Sequence, residues 1–328
     1  MDRIRRSQKP STWMYCSYVF DWVFCVVLLA LFFLLDRAQP FHREFSVENT
    51  SIMFPYKSKE TIPTWALVLI AVIFPVVVIA VVGLGVRRSL YDVHNGILGL
   101  LVAILMTTIF TQVLKVTVGK LRPDFLSRCI PAVDGVPIVE DVPLHLWTVD
   151  ICSQTDSYIL KDGFRSFPSG HTSTAFAGLT YLSLWMAGKM HVFDQRGYSL
   201  KSIILIIPIL AAMLVGVSRI QDYRHSAIDV TWGAIIGIVF AVYAYFQYYP
   251  SLFSPRSQVP HPPRDFSYMI TDSQDSTEQA DHLESSIGIR LNHEFVGEST
   301  QTQGVLVGEE TLVGFEPVVG GRVIPNPL

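Results

Sequence analysis

An all-helical membrane bundle of six spans is the fold class that the sequence predicts, and two observations predict it. Half of the 328 residues are hydrophobic and only 16% are charged, which lies outside the range of ordinary soluble domains. Apolar runs of about 20 residues, the length that a helix needs to cross a bilayer, recur six times along the chain. We therefore expect the lipid bilayer to surround this part of the protein.

The six predicted spans fall within the first 249 residues of the chain. They lie at 13–35, 64–86, 92–114, 172–188, 202–217 and 227–249. The first run is too long and too aromatic for a removable signal peptide and lacks a small-residue cleavage site, so we interpret it as a permanent anchor. The prediction is a short N-terminus at 1–12 followed by one membrane domain at 13–249.

Basic residues near the span ends predict the orientation, because they accumulate on the cytosolic side. Such residues precede the first span, follow the second and lie between the fourth and fifth: Arg3, Arg5, Arg6, Lys9, Arg87, Arg88, Lys189, Arg196 and Lys201. Both termini are then cytosolic, and loops 36–63, 115–171 and 218–226 face a lumen or the exterior. Four basic residues in the first of these loops weaken the bias: Arg37, Arg43, Lys57 and Lys59.

Two features of the outer loops fit that orientation. Cys129 and Cys152 share the long loop, where an oxidising compartment would let them pair, whereas Cys16 and Cys25 lie within the first span. Asn49 begins an Asn-Thr-Ser pattern, which is an acceptor pattern for glycosylation but is also common by chance.

The chain changes character at Pro250. From 250 to 328 it is rich in proline, serine, threonine and glutamine, has more acidic than basic residues and contains no further span. Such a segment buries too little apolar surface to offset its ordering entropy, so we predict a disordered, acidic cytosolic tail. The tail is a candidate for binding a cytosolic partner or for phosphorylation by a kinase.

Lys115 and Arg122 form the first candidate segment, at the outer end of the third span. They are seven positions apart, so on a continuing helix they would lie within about 20° of one another and present two cations on one face. Pro123 is predicted to end that helix. The alternative is that both are interfacial residues that extend to the membrane surface, and Lys120, off that face, is interpreted as such an anchor.

The second segment, Pro168-Ser169-Gly170-His171, immediately precedes the fourth span. Ser169 is placed to cap the helix, and the free amides of a helix N-terminus bind phosphate. Gly170 lets the backbone approach an anion closely. His171 is a candidate functional histidine, with an ordinary interfacial histidine as the alternative.

The third segment contains Ser218-Arg219 at the end of the fifth span and His225 with Asp229 at the start of the sixth. The i, i+4 spacing would stack His225 and Asp229 on one helix face. A carboxylate on one ring nitrogen would fix the tautomer and leave the other nitrogen free to attack. The alternative is an ion pair that only caps the helix. A metal site is disfavoured, because a dication would lie among Lys115, Arg122 and Arg219.

The order and spacing of these segments, K-x6-R-P, P-S-G-H and S-R-x5-H-x3-D, resemble the signature of the type 2 phosphatidic acid phosphatase superfamily, the lipid phosphate phosphatases. The resemblance covers about residues 45–249 and looks most like the fungal diacylglycerol pyrophosphate phosphatases. It implies the six-span lipid phosphatase fold. It also implies hydrolysis of phosphatidate, lysophosphatidate and diacylglycerol pyrophosphate without magnesium or another cofactor. No nucleic-acid partner is expected.

The resemblance also implies roles for the candidate residues. His225 would attack phosphorus and form a phosphohistidine, Asp229 would orient it, and His171 would protonate the leaving oxygen. The phosphoryl oxygens would be held by Lys115, Arg122, Ser169, Gly170 and Arg219.

Other functions compatible with the sequence fall into two classes. The same scaffold could act on a sphingoid-base phosphate, a polyisoprenyl diphosphate or glucose 6-phosphate, because the shapes of the loops and of the groove decide which head group binds. The vanadium haloperoxidases of the superfamily resemble soluble proteins, so the six predicted spans disfavour that activity. A transporter or receptor would need polar residues deep in several spans. Here only Asp21 and Asp229 lie away from the span ends.

Overall fold

The computed structural model describes residues 12–264 except 134–135, 138–144 and 195, and this part of the chain is almost entirely helical. Its helices are α1 (Thr12–Arg37), α2 (Thr64–Val68), α3 (Phe74–Val81), α4 (Leu90–Val118), α5 (Phe125–Cys129), α6 (Ser157–Gly163), α7 (Gly170–Lys189), α8 (Ser199–Gln221) and α9 (Ala227–Tyr248). A π-helical turn at Leu69–Ile73 joins α2 to α3, and a second one at Val82–Val86 extends α3, so that Thr64–Val86 forms one continuous rod. A two-residue hairpin pairs β1 (Ala132–Val133) with β2 (Val136–Pro137).

Among the described residues, five helical stretches are long and apolar enough to cross a membrane. They are Tyr18–Arg37, Thr64–Val86, Leu90–Val118, Ser199–Gln221 and Ala227–Tyr248. The all-helical membrane bundle is thus confirmed, but the count of six is not. The remaining predicted span forms α7, a helix of 20 residues that carries several Ser, Thr and Gly and does not reach the same apolarity. Most of α7 is buried against α4, α8 and α9, so little of it needs to match lipid.

Close packing of α7 on α9 brings the outer ends of these two helices together. A Cβ atom at Gly233 of α9 would lie 2.7 Å from the carbonyl oxygen of Ser169, too close for any larger residue. The Ser169 amide donates to the carbonyl of Asp229 at 3.0 Å. Since Ser169 precedes α7 and Asp229 lies in the first turn of α9, this contact joins the second and third candidate segments.

The outer loops fold into a small cap over that end of the bundle. Its core consists of buried residues from three segments: Phe45, Val47, Ile52, Leu121, Phe125, Cys129, Ile151 and Phe164. The disulfide Cys129–Cys152, the pairing considered from the sequence, closes the long loop. Asn49 is exposed, and its glycosylation stays a prediction.

Residues 250–264, at the opposite end of the bundle, pack on the membrane domain rather than forming the start of a free tail. The amide of His261 donates to the Tyr248 carbonyl at 3.0 Å, and Lys189 donates to the Gln258 carbonyl at 2.7 Å. Ser257 is 1% exposed. These residues therefore pack with the membrane domain, whereas the domain boundary at 250 stays a prediction. Residues 265–328, the rest of the predicted tail, lie outside the described residues.

Candidate active site

The three candidate segments meet beneath the outer cap. Lys115 lies in the last turn of α4, Gly170 begins α7, and a Cβ atom on Gly170 would lie 3.2 Å from the Lys115 ammonium nitrogen. Arg219 lies in the last turn of α8, and His225 occupies the loop between α8 and α9. The local sequence determines where each helix begins or ends, and the packing of α4, α7 and α9 brings these helix ends together.

His225 is held as a neutral imidazole with one free nitrogen. It is 3% exposed, and its Nδ1 lies 2.7 Å from the carbonyl oxygen of Ser166. A carbonyl only accepts, so Nδ1 carries the proton and Nε2 keeps its lone pair. Burial, together with the charges of Arg122 and Lys115, lowers the pKa of His225 well below its ordinary value. At neutral pH the ring is therefore in its nucleophilic form.

The predicted direct contact between Asp229 and His225 is wrong. Helix α9 begins at Ala227, so His225 lies outside it and the i, i+4 geometry does not apply. Asp229 instead accepts hydrogen bonds from Lys120 Nζ at 2.7 Å, from Ser166 Oγ at 2.7 Å and from the Ser226 amide at 2.9 Å. It reaches His225 only through Ser166. Asp229 also caps the helix with Ser226, as the alternative interpretation had suggested in part.

Lys120 is therefore a partner of Asp229 and not a membrane anchor. Its ammonium also donates to Ser226 Oγ at 2.9 Å. Asp229 is fully buried, and a buried carboxylate needs a cation and several donors. The polar depth of Asp229 indicated the need for a partner, but the partner could not be chosen from spacing alone.

Arg122 reaches the site from a loop and not from the helix face that was predicted. Helix α4 ends at Val118, because Gly119 adopts a left-handed conformation (φ 58°) that terminates helices. Arg122 is buried, and its guanidinium donates to Asp162 Oδ1 at 2.7 Å. The chain thus stops its helix five residues before Pro123 and still directs Arg122 towards Lys115.

Asp162 of α6 is a site residue that sequence reasoning missed. Its carboxylate accepts from Arg122 at 2.7 Å and from Arg128 at 3.0 Å, and it lies 3.6 Å from Arg224. Although burial opposes ionisation, Arg122 and Arg128 lower the pKa of Asp162 to about 2. This carboxylate holds three guanidinium groups in place. Its surroundings in the sequence carry no motif that would have singled it out.

Arg219 is held by a second set of carboxylates. It is 1% exposed and donates to Glu60 at 2.8 Å and to Asp222 at 3.2 Å, while its Nε donates to Ser218 Oγ. Glu60 comes from the loop before α2 and was not predicted. Arg224, for which the sequence suggested no role, lies 3.4 Å from Glu60 and is also buried.

Ser169 and His171 stand at the N-terminus of α7, as predicted. Ser169 is the N-cap residue, but its side chain makes no capping bond; its Oγ accepts from Thr172 at 2.9 Å and keeps its own proton for another acceptor. His171 Nε2 lies 3.7 Å from Glu60. Burial, Arg219 and Lys115 lower the pKa of His171 to about 3, so this pair is not an ion pair at neutral pH in the empty site.

Three buried nitrogen atoms of the site lack a hydrogen-bond partner among the described residues. They are Arg122 Nε, His171 Nε2 and Arg224 Nε. Buried donors are normally satisfied, and leaving one unpaired costs about 1–3 kcal/mol. Their arrangement fits an anion with several acceptor oxygens.

A cavity of about 230 Å³ lies between α1 and α4 and reaches the site at Lys115. Lys115 and Gly170 line its inner end, and Thr108 and Thr111 of α4 and Phe32 of α1 line the part within the membrane-spanning helices. Polar side chains at this depth are costly unless they face a polar group or a cavity. The cavity joins the cationic site to the groove between two spans.

No cluster of three or more histidine, cysteine, aspartate or glutamate side chains suited to a metal occurs among residues 12–264 as described. The carboxylates at the site accept instead from arginine and lysine. Asp162, Glu60 and Asp229 each have such a partner within 2.8 Å. The donor set therefore does not fit a divalent cation.

Comparison with known proteins assigns the chain to a family. Residues 96–252 match the PAP2 superfamily. Lipid phosphate phosphatase 2 of Arabidopsis thaliana is 40% identical over 264 residues, which cover 80% of this chain and 87% of the relative. The chain therefore belongs to the PAP2 superfamily. No solved structure matches it.

Other relatives carry two kinds of name. Lipid phosphate phosphatase 1 of Arabidopsis thaliana is 39% identical over 70% of this chain and 68% of its own. Diacylglycerol pyrophosphate phosphatase 1 of Saccharomyces cerevisiae is 34% identical over 70% of this chain and 79% of its own. The family resemblance seen in the three segments is thus confirmed over most of the membrane domain.

Proposed function

We propose that this protein is an integral membrane lipid phosphate phosphatase that removes phosphate from phosphatidate, lysophosphatidate and diacylglycerol pyrophosphate. The observation that carries the proposal is the set of unpaired buried nitrogens of Arg122, His171 and Arg224 beside the neutral His225. The names of the relatives support the same substrate class. The cavity between α1 and α4 supports it too, since a lipid in the bilayer could bring its phosphate to Lys115 along this route.

In this proposal the reaction has two steps. Nε2 of His225 attacks phosphorus and forms an N–P bond while the bond from phosphorus to the lipid oxygen breaks. His171 gives a proton to that departing oxygen, and water then hydrolyses the phosphohistidine to release phosphate. Lys115, Arg122, Arg219, Ser169 and the Gly170 amide hold the phosphoryl oxygens, where cations lower the barrier to phosphoryl transfer.

The roles of the two supporting acids differ in this proposal. Asp229 orients His225 indirectly, because it binds Ser166 Oγ while the Ser166 carbonyl fixes the Nδ1 proton. His171 is neutral in the empty site, so it must gain its proton when the phosphate arrives. The negative charges of the phosphate offset the positive charges of Arg219 and Lys115, and this restores the proton affinity of the His171 ring.

The experiment that tests the function is phosphate release from phosphatidate by the purified protein in detergent with a chelator. We expect full activity, because the cations of the protein replace a metal, and we expect orthovanadate to inhibit as a mimic of the transferring group. Loss of activity in chelator that magnesium restores would contradict metal independence. No release from any lipid phosphate, including a sphingoid-base phosphate and a polyisoprenyl diphosphate, would contradict the function itself.

We infer further that the site faces a lumen or the exterior and that both termini are cytosolic. The Cys129–Cys152 disulfide in the outer cap supports this side, because disulfides persist in oxidising compartments. A cytosolic partner or kinase for residues 265–328 stays part of the proposal.

The orientation is testable in sealed, cytosol-side-out vesicles. Added protease should remove the chain beyond 264 and spare the loop of residues 124–167, because the membrane shields that loop. Vesicles opened with detergent are the control, in which the loop should become accessible. Cleavage of the loop in intact vesicles would reverse the orientation.

A further inference from the structure

Glu60 places a carboxylate inside the cationic site. Its Oε2 accepts from Arg219 at 2.8 Å and lies 3.7 Å from His171 Nε2, and its Oε1 lies 3.4 Å from Arg224. These are the groups that would face a phosphate. A negative charge here opposes the binding of a second anion, so its presence in a phosphate site requires an explanation.

The loop that carries Glu60 is fixed to the end of α8 on both sides of this residue. Lys57 Nζ donates to the Gln221 carbonyl at 2.8 Å. The amide and the hydroxyl of Thr61 donate to Asp222 at 2.8 and 2.7 Å. The backbone therefore holds Glu60 at the site, and only rotation of its side chain, which is 26% exposed, can move the carboxylate away.

Glu60 also completes a chain of alternating charges around the site. Arg122 binds Asp162 at 2.7 Å, Asp162 lies 3.6 Å from Arg224, and Arg224 lies 3.4 Å from Glu60, which binds Arg219. Asp162 has no direct contact with His171 in this arrangement, whereas Glu60 approaches the imidazole. Of the two carboxylates in this series of alternating charges, Asp162 and Glu60, Glu60 is the one placed to compete with a bound anion.

We propose that the Glu60 carboxylate competes with the phosphoryl group for Arg219 and Arg224 and thereby sets the affinity of the site for phosphate. When the site is empty, its carboxylate satisfies Arg219 and Arg224. When phosphate leaves, the carboxylate returns to the same guanidinium groups and so favours release of the product. Without it, the cations Lys115, Arg122, Arg219 and Arg224 would retain inorganic phosphate more strongly. The inference rests on the proposed phosphate site.

The test is direct binding of inorganic phosphate and of orthovanadate to the full-length protein in detergent by titration calorimetry. Glu60→Gln keeps an acceptor for Arg219 and removes the charge, so we expect the Kd for both anions to fall about tenfold. Product inhibition by phosphate should strengthen in parallel. Asp150→Asn removes one charge from an exposed residue of the same outer face, whose described partner is Thr148, and should leave both Kd values unchanged.

Each result decides between the two roles of Glu60. Unchanged or weaker anion binding in Glu60→Gln would overturn the proposal, and weaker binding would mean that Glu60 serves mainly to hold Arg219. If thermal unfolding shows that Glu60→Gln does not fold, Glu60→Asp is the second variant. Its shorter side chain withdraws the carboxylate from Arg219 and should also lower the Kd for both anions. The binding measurement needs no turnover, so tighter binding in a protein that hydrolyses no lipid phosphate would reject the function and keep this inference.

Discussion

Replacing His225 by alanine should abolish phosphate release from every lipid phosphate that the protein hydrolyses. The expected loss is on the order of 10⁵-fold or more, because the variant lacks the atom that accepts the phosphoryl group. In the wild-type protein, brief incubation with substrate labelled in the phosphate and an alkaline quench should trap label on the chain. That label should be lost in acid, as a phosphohistidine is. In His225→Ala no such label should form.

A histidine elsewhere on the same face provides the control. His145 is exposed and makes an edge-to-face contact with Trp147, and its replacement by alanine should change neither activity nor trapping. Equal trapping in His225→Ala and the wild-type protein would exclude His225 as the nucleophile. Since His225 is buried, its variant should also be compared with the wild type by thermal unfolding, so that loss of activity is not confused with loss of fold.

Replacing His171 by alanine should slow hydrolysis of phosphatidate far more than removal of the β-phosphate from diacylglycerol pyrophosphate. A general acid contributes about 10²–10⁴-fold when the leaving oxygen is basic. Phosphatidate expels a glycerol oxygen, which is strongly basic, whereas the pyrophosphate expels a phosphate oxygen, which is weakly basic. The measurement is kcat/KM for each substrate under conditions in which phosphoryl transfer limits the rate.

The two histidines should therefore be distinguishable by substrate. His225→Ala removes activity towards both, because both reactions need the nucleophile. Equal losses for the two substrates in His171→Ala would contradict the role of His171 as the acid. They would indicate instead that His171 binds the phosphoryl group, which its unpaired Nε2 beside Arg219 would also allow.

The sequence predicted the membrane helices well, because the apolarity of a 20-residue window is a local property. Five of the runs became spans of the expected position. The exception, α7, shows the limit of this reasoning. A helix in the middle of a bundle is covered by other helices, so it tolerates Ser and Thr, and its apolarity does not report its position.

The order of the motifs also located the candidate site, whereas the contacts within it were predicted poorly. The ends of α4, α7 and α8 contribute Lys115, Gly170 and Arg219 to one site, and His225 joins them from the loop before α9. The assumption of continuous helices failed twice. Gly119 ended α4 before Arg122, and α9 began after His225, so neither helix-face argument held.

By itself, the sequence thus determined that the protein lies in a membrane, where its helices run and which residues meet at one end of the bundle. Each of these depends on neighbouring residues or on a motif of a few positions. Only the tertiary structure decided which partner each charge takes. Lys120 and Asp229 are 109 positions apart, and Glu60 and Arg219 are 159 apart, yet each pair lies within hydrogen-bonding distance. A buried ion pair depends on distances of about 3 Å between distant segments, and no local pattern specifies them.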